Sequence, residues 1–416
     1  MATGWLINVD ASNVDDVSPR AQTRSMAVIN HDDPDIATFF RRFVGEAGSS
    51  PLYVAMCPLL ADSVSAVALY DGVGPMQRRP NLLFAAIHHS LLRDPGHPLA
   101  QWYATVGGSR SPSDDALAGV LDAFLADRRA ELAGLVADGA TQTNEVGRSA
   151  ILLPALGLIH ATERRPLGLV EVGTSGALNL RLDAYRVSYR TAPEQDPQEL
   201  HVGPPDSSVH ITSDASRSRE QIPAAEIRST VIGSRVGSDL NPLDVSDEAQ
   251  ARWLRALIWP DERERFERLS NALVLARSIP VPVRRGDAVD LVRAQITSVP
   301  DGHHPVLLTT WVLTYLPEKK RVAFVDELAK AGEGRAFSWV CVEHPSYCRG
   351  IPWPEEVTRA WNAKGGADTL DAPVSGNPVV VHRFENGKRT SRWIATVHPH
   401  GRWINWHPSS ATASLP

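Results

Sequence analysis

Cysteine is scarce in this chain. Only Cys57, Cys341 and Cys348 occur in 416 residues, an odd number at wide spacing. No disulfide framework fits them, and no zinc site forms without a matched Cys or His pair. They read as reduced thiols, the expectation for a cytoplasmic protein. A basic excess is missing as well: 42 Lys and Arg against 48 Asp and Glu leave a net charge of −6. That balance argues against electrostatic binding of nucleic acid, which draws on a basic stripe or surplus. Long hydrophobic runs are absent. The best, Ala150 to Ala161, is interrupted by Pro154 and falls short of the roughly twenty residues that cross a bilayer. The start, MATGWLINVDASNVDD, has no basic stretch leading into an apolar one, so no secretory signal is visible. Tyr and Phe are sparse, at 7 and 9 residues, beside 11 Trp that lie mostly after residue 250.

What remains is ordinary globular material, with 43% hydrophobic and 22% charged residues, long enough for two or three domains. Residues 1–20 are acidic and aperiodic and read as a mobile tail. Residues 21–150 read as helical. IATFFRRFVGEAG repeats apolar residues at helical spacing, NLLFAAIHHSLL follows Pro80 as a helix start would, and DDALAGVLDAFLADRRAELAGLV is cleanly amphipathic. NEVGRSAILLPALGLIHATER is a further helix, with a kink expected at Pro154.

At Pro166 the pattern changes to strands alternating with helices. LGLVEVG, a short apolar run ending in Gly, reads as a buried parallel strand, and RSTVIGSRVGSDLNP, PVPVRRGD, HHPVLLTTWVL and AFSWVCVEH read as four further strands. VVVHRF, RTSRWIATV and RWINW follow, with Asn386-Gly387 marking a hairpin. The fold class expected is α/β, a parallel sheet ending in an antiparallel meander over residues 151–416, after an all-helical domain. Residues 191–227 are rich in Pro, Ser and acids and read as an insertion with a small hairpin around SSVHITSD. The segment ALNLRLDAY is expected as the helix after the first strand.

Four places in the α/β part suit a nucleotide-type ligand. Glu171-Val172-Gly173-Thr174-Ser175-Gly176-Ala177 follows the first strand, and its small residues allow close backbone approach. It is not a full three-glycine fingerprint. Asp239 ends the second strand, where an acid can accept ribose hydroxyls; Asp244 is a poorer candidate. Asp287 follows the third strand, with Ala288 beside it leaving room for a ring. Trp311 and Tyr315 follow the fourth and can wall a pocket. A bland role is open to each: Glu171 as a helix cap or Arg partner, the two Asp as loop acids, Trp311 and Tyr315 as core.

Two polar groups stand out in the helical part. His88 lies seven residues from Asn81 on one helix face, although a lone His on an apolar helix is more often a satisfied core residue. Gln142-Thr143-Asn144-Glu145 with Arg148 is denser. It is either a cap with an i,i+3 ion pair or part of a site. WPDERER balances acids and bases and reads as a solvated helix face. His382, His398, His400 and His407 lack metal-ligand spacing, so no metal is expected.

The order of these features resembles the class I AdoMet-dependent methyltransferases, over roughly Leu167 to Trp406. The resemblance implies a Rossmann-like sheet with S-adenosyl-L-methionine as cofactor. It places Glu171 near the methionine amine, Asp239 on the ribose and Asp287 on the adenine amine, with Gly173, Ser175, Gly176, Ala288 and Trp311 around them. The whole chain also resembles a bacterial family, DUF2332, through PNLLFAAIHHSLL, QTNEVGRSAILLPAL, VEVGTSGALNLRLDAYR, GSDLNPLDV, RWLRALIWPDERER and LTYLPEKKR. That membership implies no established activity. The family usually has Ser-Ala-Gly where this chain has Ser175-Gly176-Ala177.

The leading expectation is an AdoMet-binding enzyme, most simply a small-molecule methyltransferase. In it Glu145 or His88 serves as base, Asn144, Arg148 and Tyr315 touch substrate, and the helical part acts as a lid. No nucleic acid, membrane or metal partner is expected, and no oligomeric state is indicated. Two alternatives compete. One is a non-enzymatic scaffold or ligand sensor on the same fold; the other is a serine hydrolase using Ser175, which lacks Gly at Ala177 and any upstream oxyanion segment.

Overall fold

A computed structural model of the chain describes residues 35–74, 77–142, 144–191, 198–362 and 376–408. The tail assigned to residues 1–20 lies outside the described residues. Contacts divide the chain into two units, Met1–Asn144 with Asp244–Ser270, and Glu145–Leu243 with Asn271–Pro416.

The first unit is helical. Its helices include Ile36–Phe43, Pro51–Asp62, Pro80–Arg93, Ala116–Asp127, Arg129–Asp138 and Glu248–Ala256. Their starts follow local chemistry: Asp35 accepts the Ala37 N–H, Ser50 accepts that of Tyr53, and Pro51 and Pro80 occupy first-turn positions. Phe84 anchors the core, stacked on Tyr53 at 4.0 Å and edge-on to Phe40 at 5.9 Å. The segment from Asp244 joins this core although it sits between strands in the sequence. Its Trp259 packs beside Phe43 and Tyr53.

The second unit is a mixed α/β structure. Its strands are β1 (Leu167–Val172), β2 (Arg186–Arg190), β3 (Glu199–Val202), β4 (His210–Asp214), β5 (Ile232–Asp239), β6 (Val283–Arg285), β7 (His304–Thr310), β8 (Phe337–Val342), β9 (Asn377–Glu385), β10 (Lys388–Val397) and β11 (Ile404–Trp406). Eight of them form one sheet in the order β11-β10-β9-β8-β7-β1-β5-β6. The pairs from β6 through β5, β1 and β7 to β8 are parallel, and those from β8 through β11 are antiparallel. Every residue of β1, β7 and β8 is buried, as expected of strands covered on both faces. Asn386 and Gly387, both at positive φ (52° and 70°), close the β9–β10 hairpin as a two-residue turn of this kind requires.

Two local expectations are corrected. The segment ALNLRLDAY forms only a 3-10 turn, Asn179–Ala184, and then enters β2. Its side chains hold the carbonyls that a helix would use. Arg181 donates to Ala177 O at 2.7 Å and Ile279 O at 2.8 Å, and the Tyr185 hydroxyl donates to Leu178 O at 2.8 Å. The residues around SSVHITSD do not form a lone hairpin either. β4 runs parallel to β2, with β3 antiparallel on its other side, in a second three-stranded sheet.

Candidate functional site

In the large sheet β1 lies between β5 and β7, so the chain leaves β1 toward one edge and later returns on its other side. Sheets of this kind bind ligands outside the carboxyl ends of the strands at that reversal. Residues Gly173–Ala177 and Trp311–Tyr315 follow β1 and β7 there.

The turn after β1 is held from three directions. The N–H groups of Gly173 and Thr174 both donate to Ser238 O, and the Ser175 N–H donates to Asp239 Oδ2 at 2.8 Å. The other Asp239 oxygen accepts the Asn241 N–H at 2.8 Å. Ser175 and Ala177 sit at positive φ, 49° and 57°, a backbone state that side chains make costly. Gly173, at φ 71°, has a second reason to be glycine, since a Cβ there would lie 2.2 Å from a Val312 methyl. Glu171, one residue from the end of β1, is buried. It accepts from the Thr174 hydroxyl at 2.5 Å and the Asn179 amide at 2.9 Å. Burial pushes its carboxyl up to about 7, against those hydrogen bonds and the nearby Arg148.

A second polar group comes from the turn that precedes helix Ser149–Glu163. Glu145 accepts the Gly147 N–H at 2.9 Å with one oxygen and meets His400 Nδ1 at 3.1 Å with the other. Arg148, also buried, donates to Thr310 O and Pro399 O, each at 3.1 Å. The backbones touch here: a Cβ on Gly147 would lie 2.4 Å from His400 O, and one on Gly401 would lie 2.1 Å from Gly147 O. Glu145 and Arg148 are buried, not on a solvated face, and tie the ends of β7 and β10 together.

Glu343, just past β8, completes the cluster. It is fully buried and accepts the N–H groups of Val312 and Leu313 at 3.0 and 3.1 Å. Burial raises its carboxyl to about 7, opposed by those bonds and by Arg148. Both buried acids lie within reach of the Arg148 charge. Glu343 was within reach of the sequence, as a lone acid ending an apolar strand, but its role depends on Arg148, almost two hundred residues away.

The family described as an uncharacterized protein conserved in bacteria, DUF2332, matches residues 37–406. The chain belongs to this family. No curated protein and no solved structure matches it. The match spans every cluster residue of this DUF2332 chain, from Glu145 through Glu343 to His400.

The remaining candidates fall in different places. Asp287 caps helix Ala288–Ser298 by accepting the Val289 N–H at 2.9 Å and pairs with Lys320 at 2.5 Å. Although partial burial pushes its carboxyl up, the Lys320 pair and that N–H hold it below the usual range. β5 and β6 are neighbours with Asp239 opposite Arg285, so Asp239 and Asp287 follow adjacent strands on one rim. Ala288 packs into the apolar core under that helix. Trp311 lies in left-handed backbone (φ 58°) with a buried indole N–H that has no partner. Tyr315 is 41% exposed. His88 belongs to the helical unit. Its Nδ1 lies 3.1 Å from both Ala256 O and Ile258 O, and its Nε2 lies 2.8 Å from the Thr105 hydroxyl. Burial drives its pKa down to about 4, so the ring is neutral. Asn144 is half-buried at the end of that unit, and Thr143 lies outside the described residues.

Among the described residues no group of three His, Cys, Asp or Glu is arranged to hold a metal. The three cysteines are free and buried. No single described helix is long and apolar enough to cross a membrane.

Proposed function

We propose that this DUF2332 protein is an AdoMet-binding enzyme, most simply a small-molecule methyltransferase. The observation that carries the reading is the strand order. The order of the five parallel strands reverses at β1, and acids stand at the carboxyl ends of β1, β5 and β6 beside the Gly173 turn: Glu171 within β1, Asp239 as the last residue of β5 and Asp287 just past β6. The donor set suits the cofactor at its polar ends: Glu171 for the methionine ammonium, Asp239 for the ribose hydroxyls and Asp287 for the adenine amine, on release of Lys320. When bound, AdoMet supplies an electrophilic methyl group. The protein's own work is then to hold the acceptor in line and to take its proton. The Glu145–His400 pair suits the second task, since the carboxylate orients the imidazole. His88, engaged in the core of the helical unit, takes no part.

A second reading, a ligand-sensing module that does not take AdoMet, is favoured by the Val312 methyls packed on Gly173 and by the backbone bonds already on Asp239. The hydrolase reading loses support from the local fold, because a 3-10 turn stands where a nucleophile elbow needs a helix. Titration calorimetry with AdoMet and its demethylated product decides between the first two. Saturable heat that is lost in Glu171→Ala supports the enzyme, and no heat at millimolar ligand overturns it.

A further inference from the structure

Beyond the cluster, the β7–β8–β9 end of the rim holds polar atoms that have no hydrogen-bond partner among the described residues. Asn377, the first residue of β9, is 1% exposed, yet among the described residues neither its amide oxygen nor its amide nitrogen has a partner. Buried amides left unbonded are rare because each forfeits hydrogen bonds to water without replacement. The Trp311 indole N–H and His344 Nδ1 are buried and unpartnered in the same way. The three residues gather around Val342. The Trp311 backbone N–H donates to Val342 O, His344 lies two residues further along, and Val342 pairs with Val379, two residues from Asn377. Glu171 pairs with Leu308, Thr310 with Val342, and Val342 with Val379, so alternation along the strands puts Asn377 on the sheet face that carries Glu171 and Thr310. Aromatic rings lie at the same place, with His344 stacked on Tyr347 at 4.5 Å and Trp311 tilted toward His344 at 6.5 Å. Burial lowers the His344 pKa to about 4, so the ring stays neutral and brings no charge.

We infer that Asn377, with the Trp311 and His344 rings, forms a subsite for a planar heterocycle whose edge carries a hydrogen-bond donor beside an acceptor. Asn377 offers the complementary acceptor and donor, and the rings offer flat apolar surface. Two kinds of compound have such an edge, lactams such as uracil and amidines such as adenine. The inference rests on the proposed function only in taking this rim as the substrate-facing one.

The test is binding of uracil and of adenosine to the full chain, without AdoMet, followed by ligand-observed NMR. Saturable binding of either is expected, and which one binds identifies the edge. Fully N-methylated uracil, whose donors are gone, is expected not to compete. Asn377→Leu, which removes the unbonded amide, should fold with a melting temperature equal to or above that of the parent and bind the probe at least about tenfold more weakly. Trp311→Phe keeps the ring, loses the N–H and should weaken binding severalfold, giving a second measure should the Leu variant fail to fold. The inference falls if neither probe binds, or if the variants that fold bind as well as the parent. Uracil shares no part of AdoMet, and adenosine binding counts for this subsite only where Asn377→Leu weakens it and Asp239→Ala does not, so the two readings can fail separately.

Discussion

The two ends of the rim treat polar groups differently. On the β1–β5–β6 side the acids are engaged by the protein itself. Asp239 takes two backbone N–H groups, Asp287 takes one and Lys320, and Glu171 takes Thr174 and Asn179. On the β7–β8–β9 side Trp311, His344 and Asn377 keep buried polar atoms without partners. A satisfied buried group stabilises the architecture around it, whereas an unsatisfied one costs stability. Between the two ends stands Arg148, tied to Thr310 and Pro399 and close to both Glu171 and Glu343.

Removing that central cation should break the contrast most severely. Arg148→Met strips Thr310 O and Pro399 O of their donor and, above about pH 7 where Glu171 and Glu343 ionise, removes the nearby positive charge; a loss of about 3–5 kcal/mol is expected in urea denaturation at pH 8. Arg148→Lys should recover only part, because an ammonium cannot span both carbonyls. A milder and more diagnostic change is Glu343→Gln. The folded protein keeps this carboxyl protonated up to about pH 7, while the unfolded chain releases the proton near 4.5. The group's favourable contribution is therefore complete below pH 4.5 and is lost as pH rises through 7. The Gln variant should match the parent at pH 4 and exceed it above pH 7, by up to about 3 kcal/mol. Melting curves across that range check the sign, and Glu171→Gln should behave likewise. The smallest effect belongs to Asp287→Ala, which removes a helix cap and a largely exposed ion pair for about 1 kcal/mol. If that change cost as much as Arg148→Met, the distinction between centre and edge would be wrong.

Much of this was legible in the residues. The strands LGLVEV, HPVLLTT and FSWVCV declare themselves because burial on both faces demands unbroken apolar runs, and Asn386-Gly387 names its own turn. Glu145, Arg148, Glu171 and Asp239 could be singled out because polar residues there interrupt or end apolar segments. Partners could not be read. Nothing near Glu145 in sequence points to His400, and nothing in VCVEH says that Glu343 will bind the N–H groups of Val312 and Leu313. Asn377 was missed for the same reason, since Asn-Pro before a strand looks like ordinary turn chemistry. The ALNLRLDAY helix failed because Arg181 and Tyr185 bind carbonyls next to it in sequence, a competition that propensity ignores.

The bond between Glu145 and His400 spans 255 positions, which has a consequence for biosynthesis. A nascent chain emerging from the ribosome can complete the helical core and the early strands, but it lacks the residue that closes the polar cluster until position 400 is translated. Until then Glu145 and Arg148 are stranded charges beside open strand edges, a state that contacts of such long range make slow to resolve and prone to association.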